Sequence, residues 1–338
     1  MFYYVDDNFI ILSEEIIKGK DAGPIKTFAK LTNYSHLKTF QGVFLSSLEL
    51  KNFFETQRLH ENLYLLEPVL NISDKKDVRK KKNIVLAFMG SILRQELFVE
   101  VVMPALLRLN KDFSIQILCP KLQDNSLLKN FKIDLDIVEF EYTSSVDLLL
   151  QEYKKKKPDI LIHCGPEKKN NLYKTENALL NAVQLDAVLV TSNVLPYSKN
   201  ISNTNPCFVV SENTELNWYE TLLELCQDVT MRNKICENAK EYCNKKYHPM
   251  VIKKEFDKAL ESVKTTSMGA ILRRYEELYF DLCYRGNRFS TDNNVTTKAV
   301  RPLHNASLCL SKLVPSETAY RIRVTVSNWS ELGICFSS

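Results

Sequence analysis

The stretch DILIHCGPEKKNNLYKTENALLNAVQLDAVLVTSNVLPY, residues 159–197, decides how the rest of the chain is read. It opens on a short apolar run, 159–163, bounded by Pro158 and by Gly165-Pro166. An apolar run of that length between breakers reads as a strand buried on both faces of a parallel sheet. A polar loop follows, then a helical pattern from about Tyr173, then a second apolar run at 187–190. Strand, loop, helix and strand make a βαβ unit. In open parallel sheets ligands bind at the carboxyl ends of the strands, where this loop lies.

Working outward, the same rhythm extends on both sides. Strands are expected at 84–89, 114–119, 136–140 and 207–210. A helix is expected from about Glu96 to Leu109, where Leu97, Val101, Val102, Ala105, Leu106 and Leu109 recur at helical spacing. Further helices are expected near 125–130 and from Ser144 to about Lys155, with Ser144 or Ser145 as N-cap, followed by three helical segments ending near Val263. Alternation of this length specifies an α/β fold with a doubly wound parallel sheet and right-handed crossovers, assigned to residues 83–263. Residues 72–82 are charged and nearly free of apolar side chains, and read as an exposed linker. Before them, 1–71 carry strand candidates at 2–5, 42–46 and 63–66 with helix between, a thin α/β sheet read as half a domain. After the main unit come a mixed region, 264–300, with a helical piece at 271–284, and then a change of period. In residues 320–326 apolar and polar residues alternate as in a half-exposed antiparallel strand, with 308–313 as a preceding strand. Residues 301–338 are read as the start of a β-sandwich-like domain.

Composition bounds the function. The chain of 338 residues is 45% hydrophobic and 25% charged, ordinary for a globular protein, and its net charge of +4 is too small to imply nucleic acid. The basic runs Lys80-Lys81-Lys82 and 154–157 lack interleaved aromatics and read as a solvated linker and a helix end. Nine cysteines without a CxxC pair argue for reduced thiols and a cytoplasmic setting, and zinc spacing is missing. No stretch approaches the ~20 apolar residues of a membrane helix.

Several residues could carry chemistry. Gly90-Ser91 sits between the first strand and first helix of the main unit, where backbone amides favour anions and glycine admits a phosphate. Steric need alone also places glycines in such turns. Arg94 could add a fork-shaped phosphate donor, or be an exposed first-turn residue. Lys174 falls at the expected helix start, a position disfavoured for a cation by ~0.3–1 kcal/mol unless something negative sits opposite. A diphosphate, Glu176 or plain solvation would serve. Lys174, Asn177 and Asn181 then share one helical face. Tyr173 and Tyr197 border the loop and are more often packing residues than contacts. His163 ends its strand as either a hydrogen-bonded structural residue or a candidate site residue. Asp6-Asp7 could be paired carboxylates, though acidic residues after a strand usually begin a turn. No catalytic triad or metal cluster is legible.

With these residues in view, the chain resembles the GT-B glycosyltransferases, in particular the retaining family 4 (group 1) type. IVLAFMGSILRQELFVEVVMPALLRL (84–109) looks like that family's first strand, glycine turn and long helix. LYKTENALLNAVQLDAVLVTSNVLPY (172–197) resembles its helix–strand signature, and NWYETLLELCQDVTMRNKICENAKEYCNKKY (217–247) its closing helices. YYVDDNFIIL (3–12) and GVFLSSLELKNFF (42–54) resemble the later part of its N-terminal, acceptor-side domain. On this likeness the chain is a piece truncated at both ends.

The resemblance implies a hexosyltransferase-type enzyme that moves a sugar from a nucleotide-sugar to a glycan or lipid-linked acceptor, in surface-polysaccharide or lipopolysaccharide assembly. No metal or other cofactor is implied, and peripheral membrane association is compatible with it. Gly90, Ser91, Arg94, Lys174 and Asn177 would hold the donor's phosphates. Tyr173, Asn181 and His163 are the candidates for ribose or sugar contacts. The departures are specific. The family's two glutamates fall on Tyr173 and Asn181, its turn glycine falls on Asp186, and the catalytic residue of its N-terminal domain is not identified. Two other readings stand beside the enzyme: a binding or scaffold module that has lost the site, and another GT-B relative such as an epimerase or phosphorylase.

Overall fold

In the computed structural model the described residues are 2–16, 37–38, 40–70, 72, 83–90, 92–121, 128, 131–141, 146–200, 206–262, 321–328 and 331–337. Ser91, the cap residues Ser144 and Ser145, most of the 72–82 linker, all of the 125–130 helix but Leu128, the 264–300 region and the 308–313 strand lie outside them.

The chain begins with β1 (Phe2–Val5), α1 (Phe9–Ile16), β2 (Gly42–Leu45), α2 (Leu48–Thr56) and β3 (Leu63–Leu65). The three strands pair in parallel in the order β1-β2-β3. One face packs Val5, Val43 and Leu45 against Ile10, Leu50 and Phe54. The other carries Phe2, Phe44 and Tyr64, whose rings close over Gly42. A Cβ there would lie 2.9 Å from both Phe2 and Tyr64.

The main sheet has six strands in the order β6-β5-β4-β7-β8-β9, all parallel. They are β4 (Ile84–Phe88), β5 (Ile115–Pro120), β6 (Asp136–Phe140), β7 (Ile160–His163), β8 (Val188–Ser192) and β9 (Val209–Ser211). Helices α3 (Ile92–Leu97), α4 (Met103–Leu109), α5 (Val146–Lys156), α6 (Asn177–Leu185), α7 (Glu215–Gln227), α8 (Val229–Tyr247) and α9 (Pro249–Ser262) accompany them. Phe88, Phe98, Met103 and Trp218 fill one face of the sheet, and Tyr153, Leu179, Leu189 and Tyr247 the other. Strands β7 and β8 match the runs read from sequence because both faces are covered, residues 160–162 and 188–190 being buried and apolar, while the buried Thr191 and Ser192 that end β8 are hydrogen-bonded.

Strand order runs outward from β4 in both directions, through β5 to β6 and through β7 to β9. That reversal makes a crevice at the carboxyl ends of β4 and β7. Everything below concerns that crevice.

Three local features differ from expectation. The first long helix starts at Ile92, and a π-helical segment (Phe98–Val102) joins α3 to α4, with Met103 N–H bonding the Phe98 carbonyl. Pro104 at the start of α4 cannot donate to Glu100, which breaks the i→i−4 ladder and favours the wider register. Second, α6 begins at Asn177, not at Tyr173. Residues Lys169–Tyr173 form a 3₁₀ turn and Lys174–Glu176 are non-helical. Third, Asp186 adopts φ 56 at the end of α6, a left-handed conformation suited to glycine, and pairs with Lys240 at 2.6 Å. At the far end, β10 (Arg321–Asn328) pairs antiparallel with β11 (Glu331–Ser337), which supplies its partner from the residues that follow it.

Candidate functional site

A cavity of about 340 Å³ opens at the crevice. Its walls include Gly90, Arg94, His163, Lys174, Asn177, Asn181 and Tyr197 from the main unit. Asp6 and Asp7, at the carboxyl end of β1, line the facing side. Met89, Pro120 and Leu149 give it an apolar end. The size suits a small organic ligand.

Arg94 is the centre of the site's electrostatics. It lies in the first helical segment after β4, and its Nη1 donates to the Cys164 carbonyl at 3.0 Å. The guanidinium packs over Gly165, where a Cβ would fall 1.9 Å from Nη1. Among the described residues it forms no ion pair, although the charge of Asp7, on the facing wall of the same cavity, acts on it. Burial lowers its proton affinity, but an arginine stays charged. A largely buried cation satisfied by one carbonyl retains four further N–H donors in a fixed fork.

The backbone around it is pinned from β8 and the residues after β9. Gly165 N–H donates to Ser192 Oγ at 2.9 Å, Ser192 Oγ to Asn213 Oδ1 at 2.6 Å, and Asn213 Nδ2 back to the Gly165 carbonyl at 3.2 Å. Gly90 fits tightly as well. A Cβ there would lie 2.6 Å from Phe88 Cζ, so internal packing alone demands a glycine.

His163 Nδ1 sits 3.0 Å from the Met89 carbonyl, which must accept, so the ring proton is on Nδ1 and Nε2 carries the lone pair. Burial first, then Arg94, pulls its pKa down to about 3, and the ring is neutral at ordinary pH. The adjacent Cys164 thiol is pushed up to about 12 by burial and is no thiolate nucleophile.

Lys174 is committed elsewhere. Its Nζ lies 3.0 Å from Asp7 Oδ1, and the same oxygen accepts from Asn170 Nδ2 at 3.1 Å. The expectation that Lys174 lies on the helix with Asn177 and Asn181 is therefore corrected: the cation precedes α6 because Asp7 holds it. Asn177 and Asn181 do share a face of α6, and both reach the cavity. Asn181 Nδ2 contacts Met89 Sδ at 3.4 Å.

Tyr173 does not line the cavity. Its ring packs edge-on against Phe53 at 5.3 Å and its carbonyl accepts from Ser47 Oγ at 2.7 Å. Tyr197 does line it, and its hydroxyl accepts the Ala178 N–H at 3.0 Å, taking up one of the free amides in the first turn of α6. Trp218 is core, and Arg232 donates to the last carbonyls of α7 at Leu225 and Cys226, so both are structural.

Sequence reasoning missed the support of α6. The Glu176 carboxylate, buried just before the helix, accepts from Tyr242 at 2.7 Å and Tyr247 at 2.9 Å, with Lys246 at 3.5 Å. Lys246 also pairs with Glu67 at 3.2 Å. Burial alone would lower the lysine's pKa, but Glu176, Tyr242 and Glu67 more than offset it, and the net shift is upward. A tyrosine pair five residues apart on α8 was the available signal, but nothing local linked it to Glu176. Among the described residues, no group of three or more His, Cys, Asp or Glu could hold a metal ion, and no helix is long and apolar enough to cross a membrane.

No protein-family model and no curated protein matches the chain. Solved structures do. A mutant of TarM from S. aureus, in complex with fondaparinux, alpha-GlcNAc-glycerol and UDP, superposes with TM-score 0.57 at 13% identity, covering 77% of this chain and 50% of that one. HepE from Anabaena, in complex with UDP and glucose, gives 0.56 at 11% identity over 77% and 71%. WaaG, a glycosyltransferase involved in lipopolysaccharide biosynthesis, gives 0.54 at 14% over 75% and 73%. This chain thus spans half the length of TarM. With two parallel sheets meeting at a crevice and these neighbours, the chain has the α/β fold of GT-B glycosyltransferases.

Proposed function

We propose that this chain binds the diphosphate of a nucleotide-sugar in the crevice and forms the donor site of a glycosyltransferase, of the hexosyltransferase type. One observation carries the reading: Arg94, a largely buried guanidinium without a carboxylate partner among the described residues, lines a cavity at the strand-order switch. A buried cation left in that state is stabilised when an anion binds, and a diphosphate matches its fork geometry. Gly90 and Asn177 border the same space, and Asn181 offers Oδ1 as an acceptor for a ribose hydroxyl. Lys174 enters the phosphate site only by exchanging Asp7 for the ligand. The acceptor is a glycan or lipid-linked glycan, as in surface-polysaccharide or lipopolysaccharide assembly. During transfer, Arg94 would offset charge growing on the leaving phosphate, the largest service such a site performs. The test is incubation with UDP- and GDP-sugars, following release of free nucleotide. Turnover lost in Arg94→Gln supports the reading, and a folded chain that neither binds nor turns over any of them refutes it.

A second reading has its own support. Lys174 is neutralised by Asp7, Tyr197 occupies the Ala178 amide, and positions 173 and 181 carry no acid. A module that binds nucleotide without transfer fits those facts, and it is separated from the first reading by nucleotide binding with no turnover.

A further inference from the structure

The cavity already holds an anion of its own. Asp7 lines it together with the cations Arg94 and Lys174. Its carboxylate pairs with Lys174 at 3.0 Å, and its charge acts on Arg94 as well. A single side chain of the first three-stranded unit thus sets the charge that both cations present to a ligand.

The contact is built into the fold on both sides. Asn8, the next residue, caps α1 by accepting the Ile11 N–H on Oδ1 at 3.2 Å. The Asn8 N–H donates to Asn170 Oδ1 at 3.2 Å, and Asn170 Nδ2 donates to Asp7 Oδ1 at 3.1 Å. Asn170 is fully buried between these partners. On the other side, Ser47 Oγ donates to the Tyr173 carbonyl at 2.7 Å and fixes the backbone just before Lys174. A chance ion pair on a surface has no such supports.

We propose that Asp7 is an autoinhibitory counter-ion, which withholds Lys174 from the phosphate site and lowers its affinity for a nucleoside diphosphate until the pair opens. The inference rests on the nucleotide-sugar reading above. A diphosphate arriving at Arg94 meets the negative charge of Asp7 across the same cavity and finds Lys174 committed. It is repelled by the first and gains nothing from the second. Removing that one charge reverses both effects. By linkage, a bound diphosphate weakens the Asp7–Lys174 contact by the factor with which the contact weakens binding.

Calorimetry with UDP, GDP and uridine tests the device, the tighter diphosphate being carried through the variants. Asp7→Asn removes the charge and keeps an oxygen that can accept from Asn170. Its diphosphate affinity should rise on the order of 10-fold, from lost repulsion and a freed lysine together. Asp7→Ser, a second neutral variant, should rise likewise, and Asp7→Glu should stay within ~3-fold of wild type. Lys174→Ala should cost at least ~5-fold in the Asp7→Asn background, against less than ~3-fold in the wild-type chain. Uridine affinity should stay within about twofold throughout. The inference is overturned when both neutral variants bind the diphosphate no better than about twofold over wild type. It is also overturned when the gain survives Lys174→Ala undiminished, or when uridine gains as much as the diphosphate. A folded wild type and folded variants that bind neither UDP nor GDP refute the nucleotide reading itself, and the inference with it.

Discussion

Replacing Gly165 by alanine perturbs the site through one atom. The new Cβ would sit 1.9 Å from Arg94 Nη1, 3.0 Å from Cζ and 3.7 Å from Nη2. Ordinary contact between such atoms is about 3.5 Å, so the guanidinium has to withdraw by more than ~1 Å. Two effects then oppose each other. The Cys164 carbonyl loses its donor, now at 3.0 Å, at a cost of about 1–3 kcal/mol for a buried group left unmade. The guanidinium regains hydration as it leaves a buried place, which offsets part of that cost. Net stability should fall by less than about 2 kcal/mol. Anion affinity has no such compensation. Loss of a charge-assisted bond worth about 1.5–3 kcal/mol weakens UDP binding on the order of 10- to 100-fold. Calorimetric titration of UDP, with thermal melting of the same samples, measures both numbers. The double variant with Arg94→Gln should be no worse than either single variant, because both remove one interaction. A Gly165→Ala protein that folds and binds UDP within about twofold of wild type would refute the role assigned to Arg94.

Three further predictions follow from the site's neighbours. His163 has a folded pKa of about 3 against 6.5 unfolded, so the unfolded chain takes up the proton first and stability falls as pH drops below 6.5. By pH ~4.5 this loss reaches roughly 3 kcal/mol, about two pH units at ~1.4 kcal/mol each, and denaturant titrations of His163→Gln should show it removed. Tyr197→Phe strips the acceptor from the Ala178 amide and should cost about 1–2 kcal/mol by the same titrations, with α6 otherwise intact. Glu176→Ala leaves the Tyr242 and Tyr247 hydroxyls and Lys246 without their shared carboxylate, a loss of about 2–4 kcal/mol readable as a lower midpoint in urea.

How much of this was legible in the sequence depends on where each feature gets its energy. Strands β7 and β8 were readable because strands covered on both faces are nearly continuous apolar runs, as residues 160–162 and 188–190 are. The same alternation specifies a parallel doubly wound sheet, whose ligands bind at the carboxyl ends of its strands, so Arg94, His163 and Asn181 were within reach, whereas the strand order itself was not. The start of α6 was not. Local pattern placed it at Tyr173, but Tyr173 is pulled towards Phe53 and Ser47, Lys174 towards Asp7, and Glu176 into the tyrosine pair of α8. Each partner lies more than sixty residues away in sequence, as the Tyr242–Glu176 separation of 66 illustrates. The same distance hid the commitment of Lys174, the best-placed cation by sequence, and left Arg94 as the uncommitted one. Asp186 adopts the left-handed backbone that favours glycine, and its carboxylate pairs with Lys240.

The central claim is that Arg94, and not Lys174, anchors a diphosphate in the crevice. Its most direct test compares calorimetric affinities for UDP and uridine in wild type, Arg94→Gln and Lys174→Ala. Wild type should prefer UDP by at least ~10-fold, Arg94→Gln should lose most of that preference, and Lys174→Ala should change UDP affinity by less than ~3-fold. Equal affinity for UDP and uridine in the wild-type chain, or a preference for UDP that survives Arg94→Gln, would contradict the account.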